Sequence, residues 1–300
     1  MMGRGRRGAT IMDFRTAGTV AGAALALILW GHAAAAQTAE SMSILRIGMV
    51  AQPPAGDRIE GAVLIEKAFS DAIGLPAQIF VARDYAALID AQSRRRIDYG
   101  VYSATAYATA QRVCGCVEAI AAPVGADGST GMRAVLIRRE GGTTGAVAIV
   151  PGDAAHWLAV GRPAMAAGER TIEVASVSEA EDMLLSGEAD GMIGWVPFRP
   201  GAPLAGGTLS RLAAAGIPEG DLRVVWQSET LRYGPHAVRP DLPAATRAAL
   251  VRFLTGLRDT QPDVLMHLEP ARQGGFVRAS DDDYAAARAM VDRIAEAKPR

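Results

Sequence analysis

Short apolar segments alternate with segments of helical periodicity along almost the whole chain after residue 43. The segment 44–50 predicts a first strand, and the apolar residues after it recur at helical spacing: Ile59, Ala62, Ile65, Phe69 and Ile73. Strands separated by helices favour sheets that are rich in parallel pairs and covered by helices on both faces. The alternation therefore predicts an α/β fold.

Two breaks in the alternation divide the chain into two units. The first break is at residues 140–145, and the second is at Gly234–Pro235. We therefore predict one discontinuous lobe at residues 44–139 plus 235–300, and a second lobe at residues 140–234. Two crossings between the lobes predict a two-strand hinge, with a parallel-rich mixed sheet in each lobe.

The N-terminal segment has the features of a secretory signal peptide. Four arginines precede an uncharged, largely apolar run at residues 17–30, and small residues ending in Ala34–Ala36 follow it. The run is shorter than the roughly 20 residues that a helix needs to cross a bilayer. We predict cleavage after Ala36, export to the periplasm and a soluble mature protein.

The charge of the mature chain disfavours nucleic-acid binding. Residues 1–36 contain four of the 31 basic residues and one of the 32 acidic residues, which leaves 27 and 31. A mildly acidic chain with dispersed arginines lacks the basic surface that binds phosphate backbones. We therefore expect no nucleic-acid partner.

Only two cysteines occur, Cys114 and Cys116, on either side of Gly115. In an oxidising compartment they could form a disulfide, remain thiols or capture a soft metal ion. A structural role and a redox or metal-handling role both stay open at this point.

Motifs of common enzymes are absent from the sequence. It contains no G-x-S-x-G elbow, no H-E-x-x-H helix, no Walker loop and no dinucleotide fingerprint after a strand. The three histidines beyond residue 36 are widely scattered in sequence. We predict no enzymatic activity, no cofactor and no metal.

Six stretches, taken in order and spacing, resemble the phosphate, phosphite and phosphonate binding proteins of ABC importers. They are Leu45–Met49, Ala82–Leu88, Arg96–Tyr107, Pro123–Gly131, Ser186–Asp190 and Tyr233–Val238. The resemblance implies a type II, Venus-flytrap periplasmic binding protein that holds a small ligand between its lobes. It also implies a permease in the inner membrane and a cytoplasmic ATPase as transport partners, and we expect a monomer.

The predicted ligand site of the first lobe follows the third strand. Ser103, Thr105 and Tyr107 open a helix there, with Tyr102 directly before them. Helix N–H groups and hydroxyls together make an anion cradle, although Ser103 could act only as an N-cap. Ligands of open α/β sheets bind beyond the carboxyl ends of strands. By the same geometry we include two further residues, Gln52 after the first strand and Tyr85 at the start of the second helix.

The second lobe departs from the family pattern. Phosphonate binders share a hydroxyl-rich run at a helix start, whereas the matching run here is Pro151–Trp157. Asp153 would fill the helix cap and repel a dianion. We include Asp153, His156, Trp157 and Trp195 as candidate ligand residues, although these aromatic residues could equally belong to the core. The sequence thus predicts a small anionic ligand that is not a simple aminoalkylphosphonate.

A second functional class has the same fold and stays open. A periplasmic ligand sensor that feeds a signalling protein would differ from an importer component only in its partner. A redox or metal-handling protein built on the two cysteines is the third alternative.

Overall fold

The structure, a computed structural model, describes residues 42–51, 58–142, 144–160 and 170–297. The predicted signal peptide at residues 1–36 and the candidate residue Gln52 lie outside the described residues. Within the described ranges the strands are β1 (Leu45–Val50), β2 (Ala77–Ala82), β3 (Tyr99–Val101), β4 (Glu118–Pro123), β5 (Gly131–Arg139), β6 (Ala146–Ile149), β7 (Arg170–Glu173), β8 (Gly191–Phe198), β9 (Leu222–Gln227), β10 (Leu231–Arg232), β11 (His236–Val238) and β12 (Phe276–Arg278). The helices are α1 (Ala62–Ile73), α2 (Tyr85–Ser93), α3 (Ala104–Cys114), α4 (Ala154–Ala159), α5 (Val177–Ser186), α6 (Thr208–Ala214), α7 (Ala244–Thr260), α8 (Pro262–Leu268) and α9 (Ala285–Ala297).

The first sheet has the strand order β12-β4-β11-β3-β1-β2. β1 lies between β2 and β3 and is parallel to both, as two β-α-β units require. β11 is antiparallel to β3 and β4, and β12 is antiparallel to β4. The sheet is therefore mixed, and its parallel half is formed by the N-terminal part of the chain.

The second sheet has the strand order β10-β5-β8-β6-β7, with β9 also paired to β5. β6 is parallel to β7 and β8, whereas β5 is antiparallel to β8, β9 and β10. The structure thus contains two separate mixed α/β sheets, as the alternation of strands and helices predicted.

β5 marks where the chain passes between the sheets. The sequence placed residues 131–139 with the first unit, but these residues pair along their length with β8 of the second sheet. The first crossing therefore occupies residues 124–130 and not residues 140–145, which connect β5 and β6 within one sheet. The second crossing, residues 233–235 between β10 and β11, includes the predicted break at Gly234–Pro235.

Helices cover both faces of the first sheet. On one face, Phe69 of α1 makes edge-to-face contacts with Tyr99 of β3 and Phe253 of α7, with ring centroids 5.0 Å and 4.9 Å apart. On the other face, residues of α2, α3 and α9 form a buried cluster that includes Leu88, Tyr107 and Ala287. Large aromatic side chains thus pack among small residues in this core.

The C-terminal helix α9 contacts the cores of both sheets. Ala287 belongs to the cluster beneath the first sheet, together with Tyr284, which directly precedes the helix. Met290, one turn further on, is fully buried in a cluster of the second sheet with Ile149 and Leu158. The last helix therefore packs between the two sheets, in addition to the two crossings of the chain.

The two cysteines form a disulfide at the end of α3. Cys114 is the last residue of the helix, and Gly115 follows in the left-handed region with φ 58°. Cys116 closes the bridge to Cys114. Of the three states left open by the sequence, the structure shows the disulfide. In the part of the chain that the structure describes, no group of three His, Cys, Asp or Glu residues is arranged to hold a metal ion.

None of the helices in the described ranges has the length and hydropathy of a membrane span.

Candidate ligand-binding site

A cavity of about 740 Å³ lies between the two sheets. Its walls include the ends of β1 and β3 from the first sheet and residues of β5 and β10 from the second. Four residues predicted from the sequence line it: Tyr85, Tyr102, Ser103 and Thr105. Its volume is in the range of about 300–1,000 Å³ that is typical of small-molecule sites.

The N-terminus of α3 opens onto this cavity. Ser103 has extended φ and ψ angles, and its Oγ accepts a hydrogen bond of 3.1 Å from the N–H of Ala106, so it is the N-cap. The N–H groups of a first helical turn have no partners within the helix, and Ala104 and Thr105 both line the cavity. Ser103 thus both caps the helix and contributes to the cavity wall.

Tyr85 brings a second hydroxyl group to the cavity wall near the start of α3. Burial raises the pKa of Tyr85, and hydrogen bonding to Ser103 opposes that increase. The phenol therefore stays protonated at neutral pH and is available as a donor near the start of α3.

Gly234 allows the second crossing to lie against this helix start. A Cβ atom on Gly234 would lie 1.8 Å from the carbonyl oxygen of Tyr102 and 2.7 Å from the Cα of Ser103. No side chain fits there, and a glycine is required for the close approach. This contact brings Tyr233 to the cavity wall beside Ser103.

Arg272 is the cation whose position in the cavity is best defined. Its Nη1 lies 3.3 Å from Oε2 of Glu269, and its guanidinium stacks over the ring of Tyr233 at 4.5 Å from the centroid. All three residues line the cavity. A guanidinium held on two sides in this way can present its remaining N–H donors to an oxyanion.

A buried histidine forms a hydrogen bond with Glu269. Nε2 of His236 lies 3.0 Å from Oε1 of Glu269, and Nδ1 contacts the hydroxyl of Tyr99. A carboxylate oxygen of Glu269 accepts, so Nε2 of His236 is the donor in this contact, and in the neutral ring Nδ1 then accepts from the hydroxyl of Tyr99. Burial raises the pKa of Tyr99 and keeps this phenol protonated. His236 is fully buried and Glu269 nearly so. This network leaves the other carboxylate oxygen of Glu269 for Arg272.

The charges of the lining favour an anion. Arg58, Arg232 and Arg272 face two carboxylates, Glu60 and Glu269, and Glu269 is already engaged with Arg272 and His236. With the positive end of α3 at the same wall, the charge distribution disfavours a cation and suits a small anion.

Tyr107, predicted as a ligand residue, points away from the cavity into the core. It is fully buried, its hydroxyl contacts Asp281, and it accepts a hydrogen bond of 2.9 Å from the N–H of Ala119. Burial raises the pKa of Tyr107, and donation to Asp281 adds to the effect. It lies four positions after Ser103, near the face of α3 that packs against Tyr284.

The candidate residues of the second lobe lie around α4. Asp153 caps this six-residue helix, accepting a hydrogen bond of 2.6 Å from the N–H of His156. The ring of His156 accepts from the N–H of Gly152 at 3.2 Å. Trp157 and Trp195 pack against the buried cluster of the second sheet, which is the core alternative that the sequence left open. Ala154 is the residue of α4 that lines the cavity.

Sequence reasoning missed the C-terminal part of the site. Glu269 and Arg272 follow α8, about 170 residues after Ser103, and a charged pair after a helix is typical of solvent-exposed surface. The one available signal was the stretch Tyr233–Val238, which was used for family resemblance but not for the site. His236 within it is the buried partner of Glu269.

Comparison with known proteins agrees with this architecture. A family model described as "ABC transporter, phosphonate, periplasmic substrate-binding protein" matches residues 57–284. A search of curated proteins finds no significant match.

Solved structures of one protein in two ligand states show the same fold. XAC2383 from Xanthomonas citri, solved with chloride ion and with ATP, superposes with TM-scores of 0.54 and 0.53 at 14% and 12% identity. Each alignment covers 85% of this chain, and 99% and 98% of those chains respectively. A binding protein component of an ABC phosphonate transporter from Pseudomonas aeruginosa has a TM-score of 0.44 at 19% identity, over 82% of this chain and 85% of that one.

The fold is thus the two-lobed type II periplasmic binding fold, with two mixed sheets. The family match covers more than half of the sequence and includes the start of α3, both crossings and Arg272. This chain belongs to the family of periplasmic substrate-binding proteins of phosphonate ABC transporters.

Proposed function

We propose that the chain is the solute-binding component of an ABC importer and holds a small oxyanion in the cavity between the two sheets. The observation that carries the proposal is the convergence of Arg272 and the N-terminus of α3 on one wall of this cavity. The oxyanion accepts hydrogen bonds from the guanidinium of Arg272, from Ser103 or Thr105, and from the first-turn N–H groups of α3.

Transport requires only that the protein bind and release its ligand. Closure of the two sheets around the anion removes it from water and creates the surface that a permease recognises. The family implies a permease and an ATPase as partners, and we propose that the binding protein reaches them in the periplasm as a monomer without catalysing a reaction.

The residues that the second sheet contributes to the cavity support the prediction that simple aminoalkylphosphonates are poor ligands. Asp153 occupies the cap of α4, and the lining contributed by that side consists of Met132, Ala154, Leu231 and Arg232 among the described residues. The hydroxyl donors that would hold further phosphoryl oxygens are not among them. We expect aminoethylphosphonate to bind more weakly than micromolar.

Isothermal titration calorimetry on protein purified from the periplasm tests the proposal. Inorganic phosphate, methylphosphonate, phenylphosphonate and aminoethylphosphonate are the probes. Arg272→Gln is expected to weaken binding of the best probe by at least about tenfold, because a charged hydrogen bond to the anion is lost.

Arg223→Gln is the matched control, since Arg223 pairs with Glu140 in an exposed ion pair of the second sheet. It is expected to leave affinity unchanged. If no probe binds the wild-type protein, or if Arg272→Gln binds as well as Arg223→Gln, the oxyanion proposal is wrong.

A further inference from the structure

The two sheets contribute different chemistry to the cavity. The side of the first sheet supplies hydroxyls and charges, among them Tyr85, Ser103 and Arg272. The second sheet supplies Met132 of β5 and Leu231 of β10, which are directly opposite each other in the antiparallel pair. Side chains opposite each other on one face form a continuous surface, so these two residues give this wall an apolar patch.

Helix α4, which lies on the side of the second sheet, adds no oxyanion site. α4 has six residues, and the carboxylate of Asp153 already accepts from its first turn. Ala154, the first residue of the helix, extends the apolar wall of Met132 and Leu231. An anion held by Arg272 and α3 is therefore faced by the apolar groups of Met132, Leu231 and Ala154, with Arg232 beside them as a cation.

Arg232 is the charged residue on this wall. Its Nη1 lies 4.0 Å from Oδ1 of Asp283, in the turn before α9, and its Nε is buried without a hydrogen-bond partner. The side chain is mostly buried and adds one cation, close to Asp283, to this side of the cavity. It leaves Met132 and Leu231 as the apolar surface.

Three methionines from separate elements line the cavity: Met49 of β1, Met132 of β5 and Met266 of α8. The flexible thioether side chain adapts to apolar groups of different shapes and makes favourable contacts with aromatic rings. A cavity of about 740 Å³ with this lining has room for an organic group beside the anion.

We infer that the ligand of this site is an oxyanion that carries an apolar organic group, such as an aryl or longer alkyl group. The anionic head binds at Arg272 and the start of α3, and the organic group packs on the wall formed by Met132, Leu231 and Ala154. This inference rests on the proposed function and specifies the substrate class of the same site.

The test compares methylphosphonate with phenylphosphonate by calorimetry, because the two share the head and differ only in the organic group. We expect phenylphosphonate to bind at least about tenfold more tightly, since burying an aromatic ring removes a large apolar area from water. Its binding should also have the more negative heat-capacity change.

Met132→Ser is expected to weaken phenylphosphonate binding several-fold and to leave methylphosphonate binding within about twofold. Leu231→Ser, at the residue paired with Met132 on the same wall, repeats the test if the first variant does not fold. Val225→Ser, at a half-exposed position on β9, is the control and should change neither affinity.

The outcomes separate the two hypotheses. If methylphosphonate binds as tightly as phenylphosphonate, or if the variants of this wall weaken both equally, the inference about the organic group is wrong and the oxyanion site stands. The same holds if inorganic phosphate binds and neither of these compounds does. If no probe binds, the proposed function itself fails.

Discussion

The hydroxyl groups of Ser129 and Tyr233 lie 2.8 Å apart and join the two segments through which the chain passes between the sheets. Ser129 also donates to Oδ1 of Asp127 at 2.6 Å, so Tyr233 is the donor in the contact with Ser129. On its other side, the ring of Tyr233 lies beneath Arg272. The first crossing is thereby connected to the cavity wall through side chains, in addition to the backbone hydrogen bond that the N–H of Tyr233 donates to the carbonyl of Thr130.

The carboxylate of Asp127 is expected to titrate below the usual range of an aspartate. The side-chain and backbone hydrogen bonds from Ser129 lower the pKa of Asp127. Because the pKa of Asp127 is lower in the folded state, the ionised carboxylate stabilises the fold at pH values above the unfolded-state pKa of about 4. This stabilisation is lost as the pH falls through the folded-state pKa. Carboxyl ¹³C NMR titration measures it directly. Ser129→Ala should return the midpoint toward the ordinary value, and an unchanged midpoint would contradict this assignment.

Replacing Ser103 separates its capping role from its binding role. Ser103→Ala should destabilise the protein by about 1 kcal/mol through loss of the N-cap, and should also weaken anion binding. Ser176→Ala is the matched control, because Ser176 caps α5 by accepting from the N–H of Glu179. Urea unfolding should give similar losses for both variants, whereas calorimetry should detect weaker binding only for Ser103→Ala. Equal affinities would assign Ser103 to capping alone.

Gly234→Ala tests the close approach of the second crossing to α3. The added Cβ would overlap the carbonyl of Tyr102, and this backbone cannot move without shifting Ser103. We expect a loss of at least about 2 kcal/mol in the free energy of unfolding, together with weaker anion binding. Gly256→Ala in α7 is the opposite case, since nothing lies within 4 Å of its Cβ, and it should stabilise by roughly 0.5–1 kcal/mol. A neutral Gly234→Ala variant would show that the contact is not tight in solution.

Removing the buried histidine should affect both stability and binding. His236→Leu leaves the hydroxyl of Tyr99 and one oxygen of Glu269 without their partner, which costs about 1–3 kcal/mol in the free energy of unfolding. Anion affinity should fall as well, because Glu269 no longer holds Arg272 in one position. Lys67→Ala breaks an exposed i,i+4 pair with Asp71 and should cost less than about 0.5 kcal/mol. Unchanged calorimetry for His236→Leu would limit the network to a structural role.

The sequence predicted the parts of the fold that repeat along the chain. Ile65 and Phe69 recur on one face of α1 and are fully buried, and the two-sheet α/β architecture is confirmed. Local periodicity is sufficient there because each strand and helix is long enough to show it.

Short strands that depend on tertiary pairing were not predictable in this way. β10 has two residues and β11 three, and His236 in β11 is a polar residue whose burial depends on Tyr99 and Glu269. The pairing of β5 was not predictable either, because Gly131 follows a turn-rich stretch and yet its backbone pairs with Phe198 of the second sheet. Residues that come into contact only in the folded chain leave no pattern in the local sequence.

The candidate site also contains residues that the local sequence predicted and residues that it did not. Ser103 was identified because it directly follows a strand and opens a helix, and the structure places it at the cavity. Tyr107 was included by proximity in sequence, but it lies two residues after Thr105, on the opposite side of α3, and is buried in the core. Arg272 was missed because its neighbours Tyr233 and Glu269 come from other parts of the chain.

The packing of α9 against both cores has a consequence for how the cavity exchanges ligand. Any rotation that separates the sheets must carry the helix with one of them and slide it across the other, near Ala287 and Met290. Val291 and Ile294 of the same helix also pack against the two cores, so complete detachment would expose these side chains and Met290 to water. We therefore expect the C-terminal helix to limit how far the sheets separate, and the exit rate of a ligand to depend on residues that do not line the cavity.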